Sequence, residues 1–354
     1  MIYHLSIWLK SYISGFNVVH YVSFRAIASL LSTLFFSFVF GDACIAISKK
    51  NFRSKTREML PESHKKKDDT PTMGGVFILG VVVLNTLLWC NVFDPRVWFF
   101  LFCFVGFGAI GFWDDWCKVM HKKGIAAGMK FKLQWLVAAM VALGLIFFVD
   151  GATVLSFPFC KTLQLDISWL YVPWAMFVIV STSNAVNLTD GLDGLAIGSL
   201  LPNFALFSLL AYLAGHHALA SYLYIPFTGS AEIAVIGSIL VGASLGFLWY
   251  NAYPAEIFMG DVGSLSLGAG LALMALMAKQ EFLLVIAGGL FVLETVSVIA
   301  QVMSLRYLGR RCFKMAPIHH HFELLGWQES KITVRFGIIS FILCLLALIT
   351  LKLR

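Results

Sequence analysis

Read for polarity alone, the chain is a succession of long apolar runs separated by short polar ones. Ten runs stand out, at about 22–47, 73–92, 97–113, 132–149, 169–187, 194–214, 230–249, 262–278, 283–305 and 332–352. Each is near the ~20 residues that an α-helix needs to cross a hydrocarbon layer ~30 Å thick. None alternates polar and apolar with the period of two that a barrel strand requires, so helices are predicted. The eighth run is short and glycine-rich, the weakest of the ten. The pattern predicts an all-α polytopic membrane protein, with residues 1–354 forming a single integral membrane domain. One connection departs from it. Around 150–168, Val154, Leu155 and Phe157, then Leu163, Leu165 and Ile167, flank a Pro-Phe-Cys-Lys turn, and a small β-hairpin is predicted there.

Charge gives the spans a direction. The first, third and ninth loops hold Lys49, Lys50, Arg53, Lys55, Arg57 and Lys65–Lys67, then Lys118, Lys122, Lys123, Lys130 and Lys132, then Arg306, Arg310, Arg311, Lys314 and Lys331. The other face has Lys10, Arg96, Lys161 and Lys279, plus Lys352 and Arg354 at the tail. Eighteen basic residues against six place the odd-numbered loops in the cytoplasm. Both termini and the hairpin then lie outside. An even number of spans requires the two termini to agree.

Composition supports the membrane reading and removes others. The 354 residues are 59% hydrophobic and 13% charged, too little charge to cover a soluble protein of this length. The net charge of +7 follows from the cytoplasmic loops, and no nucleic-acid partner is expected. Seven scattered cysteines (44, 90, 103, 117, 160, 312 and 344) have no metal-ligand spacing and read as small buried hydrophobes, with Cys160 alone expected to face outward. Residues 1–21 have no small-residue cleavage site, so no cleaved signal peptide is read.

The chemistry-bearing residues gather on the inward side. Asp114-Asp115 ends the third span; two adjacent carboxylates repel unless a cation or proton separates them, so they are either solvated loop acids near Lys118 or a metal or base site. Asn184 to Gly194 packs Asn187, Asp190 and Asp193 between two spans, with glycines that admit a ligand to the backbone; a tight polar turn is the plainer alternative. Asp261 stands between glycines at the mouth of a span, suited either to a hard cation or to capping the helix. His319-His320-His321 cannot easily share one zinc, because neighbouring side chains diverge, but suits hydrogen bonding to phosphate oxygens. Lys65 to Gly75 sets cations, hydroxyls and glycines on the same face, as a phosphate site or a basic juxtamembrane run. The outward loops hold only isolated or paired groups: Asp94, Asp150, Asp166, His216 and His217.

Taken in order, Thr70-Pro71-Thr72-Met73-Gly74-Gly75, Asp114-Asp115, Asn187 to Gly194, Gly260-Asp261-Val262-Gly263-Ser264 and Ala316 to Glu323 resemble the phospho-N-acetylmuramoyl-pentapeptide transferases. These are a branch of the polyprenyl-phosphate N-acetylhexosamine-1-phosphate transferase superfamily, and the likeness spans nearly the whole chain. It implies transfer of phospho-N-acetylmuramoyl-pentapeptide from UDP-N-acetylmuramoyl-pentapeptide to undecaprenyl phosphate, giving lipid I and UMP with Mg2+. It also implies a bacterial inner-membrane enzyme working at the cytoplasmic face, as a homodimer among membrane lipid. By the resemblance, Asp261 is the magnesium ligand, with Asp190 a second candidate, and Asp114 is the base, with Asp115 beside it. Asn187, Asp190 and Asp193 meet the nucleoside or the metal-diphosphate. Lys118, Asn251, Phe258 and Gln301 fall at other pocket positions, and His320 and His321 in the histidine motif needed for activity. Lys67, Thr72 and His319 are further candidate substrate contacts. Asp69 stands where family members often have glycine, which leaves open whether Lys66 or Lys67 faces phosphate.

Two rival functions are weighed. A relative using UDP-N-acetylglucosamine would share most motifs, but the three histidines favour the muramoyl-pentapeptide branch. An ion-coupled transporter would place its acids mid-span rather than at inward helix ends.

Overall fold

The computed structural model describes residues 1–51, 70–149, 151–159, 163–229 and 231–351. Lys65, Lys66, Lys67 and Cys160 therefore lie outside the described residues. Ten principal helices follow one another: α1 (Val22–Asn51), α2 (Gly74–Trp89), α3 (Pro95–His121), α4 (Ala127–Phe148), α5 (Tyr171–Thr189), α6 (Leu195–Gly215), α7 (Ala231–Asn251), α8 (Gly260–Met277), α9 (Gly289–Leu308) and α10 (Glu329–Thr350). Among the described residues, nine of these are long and apolar enough to cross a membrane. The other, α2, has 16 residues. All ten predicted runs thus coincide with helices.

Local chemistry sets several of the boundaries. Pro95 occupies the first turn of α3, where its missing N–H costs nothing, and the Asp94 carboxylate accepts the Arg96 N–H at 2.9 Å. The ninth predicted run is not one helix. Glu281–Ala287 forms a short helix, and α9 starts anew at Gly289. Both halves are apolar, so polarity gives no sign of the break; the adjacent Gly288 and Gly289 are the weak point in the helix.

The least convincing span by sequence is the centre of the molecule. About 89% of α8 is buried, against 22% of α1 and 28% each of α4 and α10. Its glycines, alanines and serines give an unimpressive hydropathy because they serve helix contact rather than lipid contact. At Gly75, on α2, an added Cβ would lie 2.0 Å from the Gly263 nitrogen of α8, so the two backbones touch and no larger residue fits.

The predicted hairpin is present. β1 (Val154–Ser156) pairs antiparallel with β2 (Gln164–Asp166), in the register Val154↔Asp166, Leu155↔Leu165 and Ser156↔Gln164. It sits at the far end of α8, where Ser156 Oγ donates to the Lys279 carbonyl at 2.6 Å and the Lys279 ammonium donates to the Ala152 carbonyl. The same end carries a buried ion pair. Arg25 of α1 grips Glu232 of α7 through two hydrogen bonds of 2.8 and 2.7 Å, and Glu232 also accepts the Asn91 N–H at 2.9 Å. The opposite end, where α3 and α5 finish and α8 begins, is left for the acids.

Candidate active site

Two helix ends deliver three carboxylates to one point. Asp114 and Asp115 lie in the last two turns of α3, and Asp261 in the first turn of α8. One ligand oxygen from each lies within 4.8 Å of the others. Such proximity requires counter-charge, and two lysines provide it. Lys118 Nζ is 2.7 Å from Asp114, 3.0 Å from Asp115 and 2.9 Å from Asp261. Lys130, entering from α4, is 3.3 Å from Asp114 and also pairs with Asp261. Backbone donors fix the carboxylates further. The Ile125 N–H reaches Asp114 at 2.8 Å, and the Val262 N–H reaches Asp115 at 3.3 Å. Asn187 Nδ2 donates to Asp261 at 2.9 Å and to Ser264 Oγ at 2.8 Å, joining α5 to α8.

The donor set fits a hard divalent cation. It is all carboxylate oxygen, with no sulfur among its members, and magnesium is held through one or two carboxylates with room left for phosphate oxygens. Asp190 is outside the three-carboxylate cluster but feels it. Its carboxyl pKa is raised by burial first, and then by the charges of Asp261, Asp115 and Asp193. Three acids against two ammonium groups leave a site that attracts cations, while the lysines remain available to anionic oxygens.

A second wall is stitched together beside the acids. The Asp193 N–H donates to Glu329 at 2.8 Å, Asp193 Oδ2 accepts the Ala255 N–H at 3.0 Å, and Thr333 Oγ1 donates to the Asp193 carbonyl at 3.1 Å. Asn251 bridges Gly194 and Ile257, accepting at 3.1 Å and donating at 2.8 Å. Phe258 is held by the backbone, its N–H on Pro71 at 2.9 Å and its carbonyl on the Gly74 N–H at 2.8 Å. This brings the Thr70–Gly75 segment onto the mouth of α8, with Thr72 close to Gly260.

The three histidines form a short helix, Ile318–Glu323, with the His319 and His320 rings 4.2 Å apart but each imidazole on a different partner. His319 is buried, with Nδ1 3.1 Å from Glu294 of α9. His320 Nδ1 lies 2.6 Å from Glu323, and His321 Nδ1 accepts the Lys314 N–H at 3.1 Å. Gln301 faces the connection before this helix, accepting the Phe313 N–H at 3.0 Å and the Cys312 thiol at 3.3 Å.

Comparison with known proteins decides the family. Residues 97–279 match Glycosyl transferase family 4, and residues 67–79 match the phospho-N-acetylmuramoyl-pentapeptide-transferase signature 1. Phospho-N-acetylmuramoyl-pentapeptide-transferases of Citrifermentans bemidjiense, Aquifex aeolicus and Solidesulfovibrio magneticus are 50%, 48% and 49% identical to the chain. Each alignment covers 100% of both proteins. The chain belongs to the phospho-N-acetylmuramoyl-pentapeptide-transferase family. Its long motifs are therefore those of a transferase, and the acid cluster lies within the matched region.

Within this transferase fold, the structure unites Asp114, Asp115, Lys118, Asn187 and Asp261 in one contact network, with Asp193, Asn251 and Phe258 in the adjoining wall. Sequence reasoning missed Lys130, which it counted only as a topology-setting charge. It also missed Glu294, Glu329 and Thr333, single polar residues in apolar helices. The one available signal was Glu294 itself, an acid in the middle of a predicted span, where a charge is costly unless it has a role.

Proposed function

We propose that the chain transfers phospho-N-acetylmuramoyl-pentapeptide from UDP-N-acetylmuramoyl-pentapeptide to undecaprenyl phosphate, giving lipid I and UMP. The observation carrying the reading is the meeting of Asp114, Asp115 and Asp261 with Lys118 and Lys130 in a full-length member of this transferase family. Both substrates are anions, so the first task is to let them approach. Asp261, with Asp114 and Asp115 beside it, would hold Mg2+. When bound, the ion supplies positive charge to the diphosphate and the leaving UMP.

The chain's own groups do the rest. Lys118 and Lys130 hold phosphate oxygens. Asp114 orients the lipid phosphate and takes any proton that remains on it; with a second phosphate pKa near ~6, little deprotonation is needed at neutral pH. The lipid phosphate oxygen attacks the sugar-bearing phosphorus, the diphosphate P–O bond breaks, and UMP leaves with the electron pair. Asn187, Asp190, Asp193, Asn251 and Phe258 form the nucleotide side of the pocket, with Thr72 and the histidine helix at its rim. We place this site at the cytoplasmic face of the inner membrane, with both termini and the hairpin in the periplasm. The basic loops flanking the acids support that orientation. A homodimer is part of the same proposal.

Measuring UMP release tests the function. Release should require polyprenyl phosphate and magnesium together with the muramoyl-pentapeptide nucleotide. Equal release from UDP-N-acetylglucosamine would move the chain to the other branch of the superfamily. Absence of release from either would sink the assignment.

A further inference from the structure

Glu294 is a carboxylate in the body of α9, with no exposed surface. A leucine of similar size would fill that position with no polar atom to satisfy, so packing alone does not call for an acid. One of its oxygens meets His319 Nδ1 at 3.1 Å. The other, Oε1, is buried with no hydrogen-bond partner among the described residues, and so is Nε2 of His319. Two unpartnered polar atoms in one buried pair do not serve packing, because each costs desolvation without return.

Geometry gives the pair its direction. An added Cβ on Gly191 would lie 2.2 Å from His319 Nε2, so that nitrogen points at the Asp190-Gly191 turn and reaches it only because residue 191 has no side chain. A carboxylate on Nδ1 selects the tautomer with the proton on Nδ1 and leaves Nε2 as an acceptor. Burial also holds the imidazole pKa below the ordinary histidine range, partly opposed by Glu294. The histidine helix and the aspartate loop come from distant parts of the chain, and this contact joins them.

We propose that Glu294 is a positioning residue for the nucleotide pocket: through His319 it fixes the histidine helix against the Asp190-Gly191 turn and sets which face of the imidazole that turn and the bound nucleotide meet. Glu294 touches no reacting atom in this scheme. Its effect passes through His319 to the loop bearing Asp190 and Asp193. The inference rests on the functional reading above, in which that loop lines the nucleotide side.

The test is steady-state kinetics on the full-length, detergent-solubilised protein with Glu294→Gln, His319→Asn and the double variant, each substrate being varied in turn. Glu294→Gln keeps the shape and removes the charge that selects the tautomer. It should raise KM for the nucleotide sugar about tenfold, leaving KM for the lipid phosphate unchanged. His319→Asn should do the same, and the double variant should be no worse than the poorer single variant, since both act through one contact. Additive losses, an equal rise in both KM values, or a wild-type KM in either single variant would overturn the proposal. Thermal melting reports folding separately. If Glu294→Gln melts early, His319→Asn, which retains the carboxylate, decides alone by its nucleotide KM. Should the wild-type protein release no UMP, the functional reading fails; should it be active while Glu294→Gln keeps both KM values, only the inference about Glu294 fails.

Discussion

At the scale of single residues, the site is a balance of charge that one substitution can upset. Asp261 accepts from Lys118, Lys130 and Asn187, and Asp114 shares both of those lysines. Asp261→Asn should lower UMP release by at least about a hundredfold, with the residual activity insensitive to added magnesium. Normal, magnesium-dependent turnover in that variant would remove the metal assignment. Lys130→Met tests the lysine that sequence overlooked. Losing one of two ammonium groups from the phosphate site should cost roughly 10²-fold in kcat. Direct transfer also predicts that no phosphosugar is trapped on the enzyme; recovering radiolabel on Asp114 or Asp115 after a quench would establish a two-step route. The acids were legible in the sequence because each stands in a motif with glycines or amides, at the end of an apolar run. Lys130 was not, because a lysine beside a span has a sufficient explanation in topology. Glu294 was visible only as an acid inside a predicted span; its pairing with His319 comes from the fold, and no spacing along the chain encodes it.

At the scale of elements, close packing onto α8 makes the site possible. The Gly75–Gly263 contact brings α2 to the mouth of α8, where the Gly75 N–H also donates to the Met259 carbonyl at 2.8 Å. Gly75→Ala should therefore cost about 1–3 kcal/mol or more, read as a lower melting temperature in detergent. Gly80→Ala is the control on the same helix. It meets nothing within 4 Å and should leave the melting temperature unchanged or slightly raised. The ten helices and the hairpin were legible because polarity reports them directly. The break at Gly288 was not, since it lies between two stretches equally at home in lipid. The importance of α8 was hidden for a related reason: hydropathy measures affinity for lipid, and this helix is shaped for protein.

At the scale of the whole molecule, the two ends differ in kind. One gathers the acids, lysines and histidines, and the other is closed by the hairpin and the Arg25–Glu232 pair. The proposed orientation can be read by adding cysteines at Lys123, on the acid-bearing end, and at Gln164, in β2. In intact cells stripped of their outer membrane, an impermeant maleimide should label Gln164→Cys above the wild-type background and leave Lys123→Cys unlabelled. The reverse pattern would invert the molecule. Between these ends runs α8, carrying Asp261 in its first turn and followed by Lys279 beneath the hairpin. A helix that borders lipid tilts when the bilayer thins or thickens, whereas one walled in by its neighbours passes little of that strain along its length. Asp261, at the mouth of that helix, is thereby shielded from strain in the surrounding membrane. In bilayers of different acyl length, kcat should stay nearly constant, and any change should fall on the KM for the lipid phosphate, the substrate that arrives through the bilayer itself.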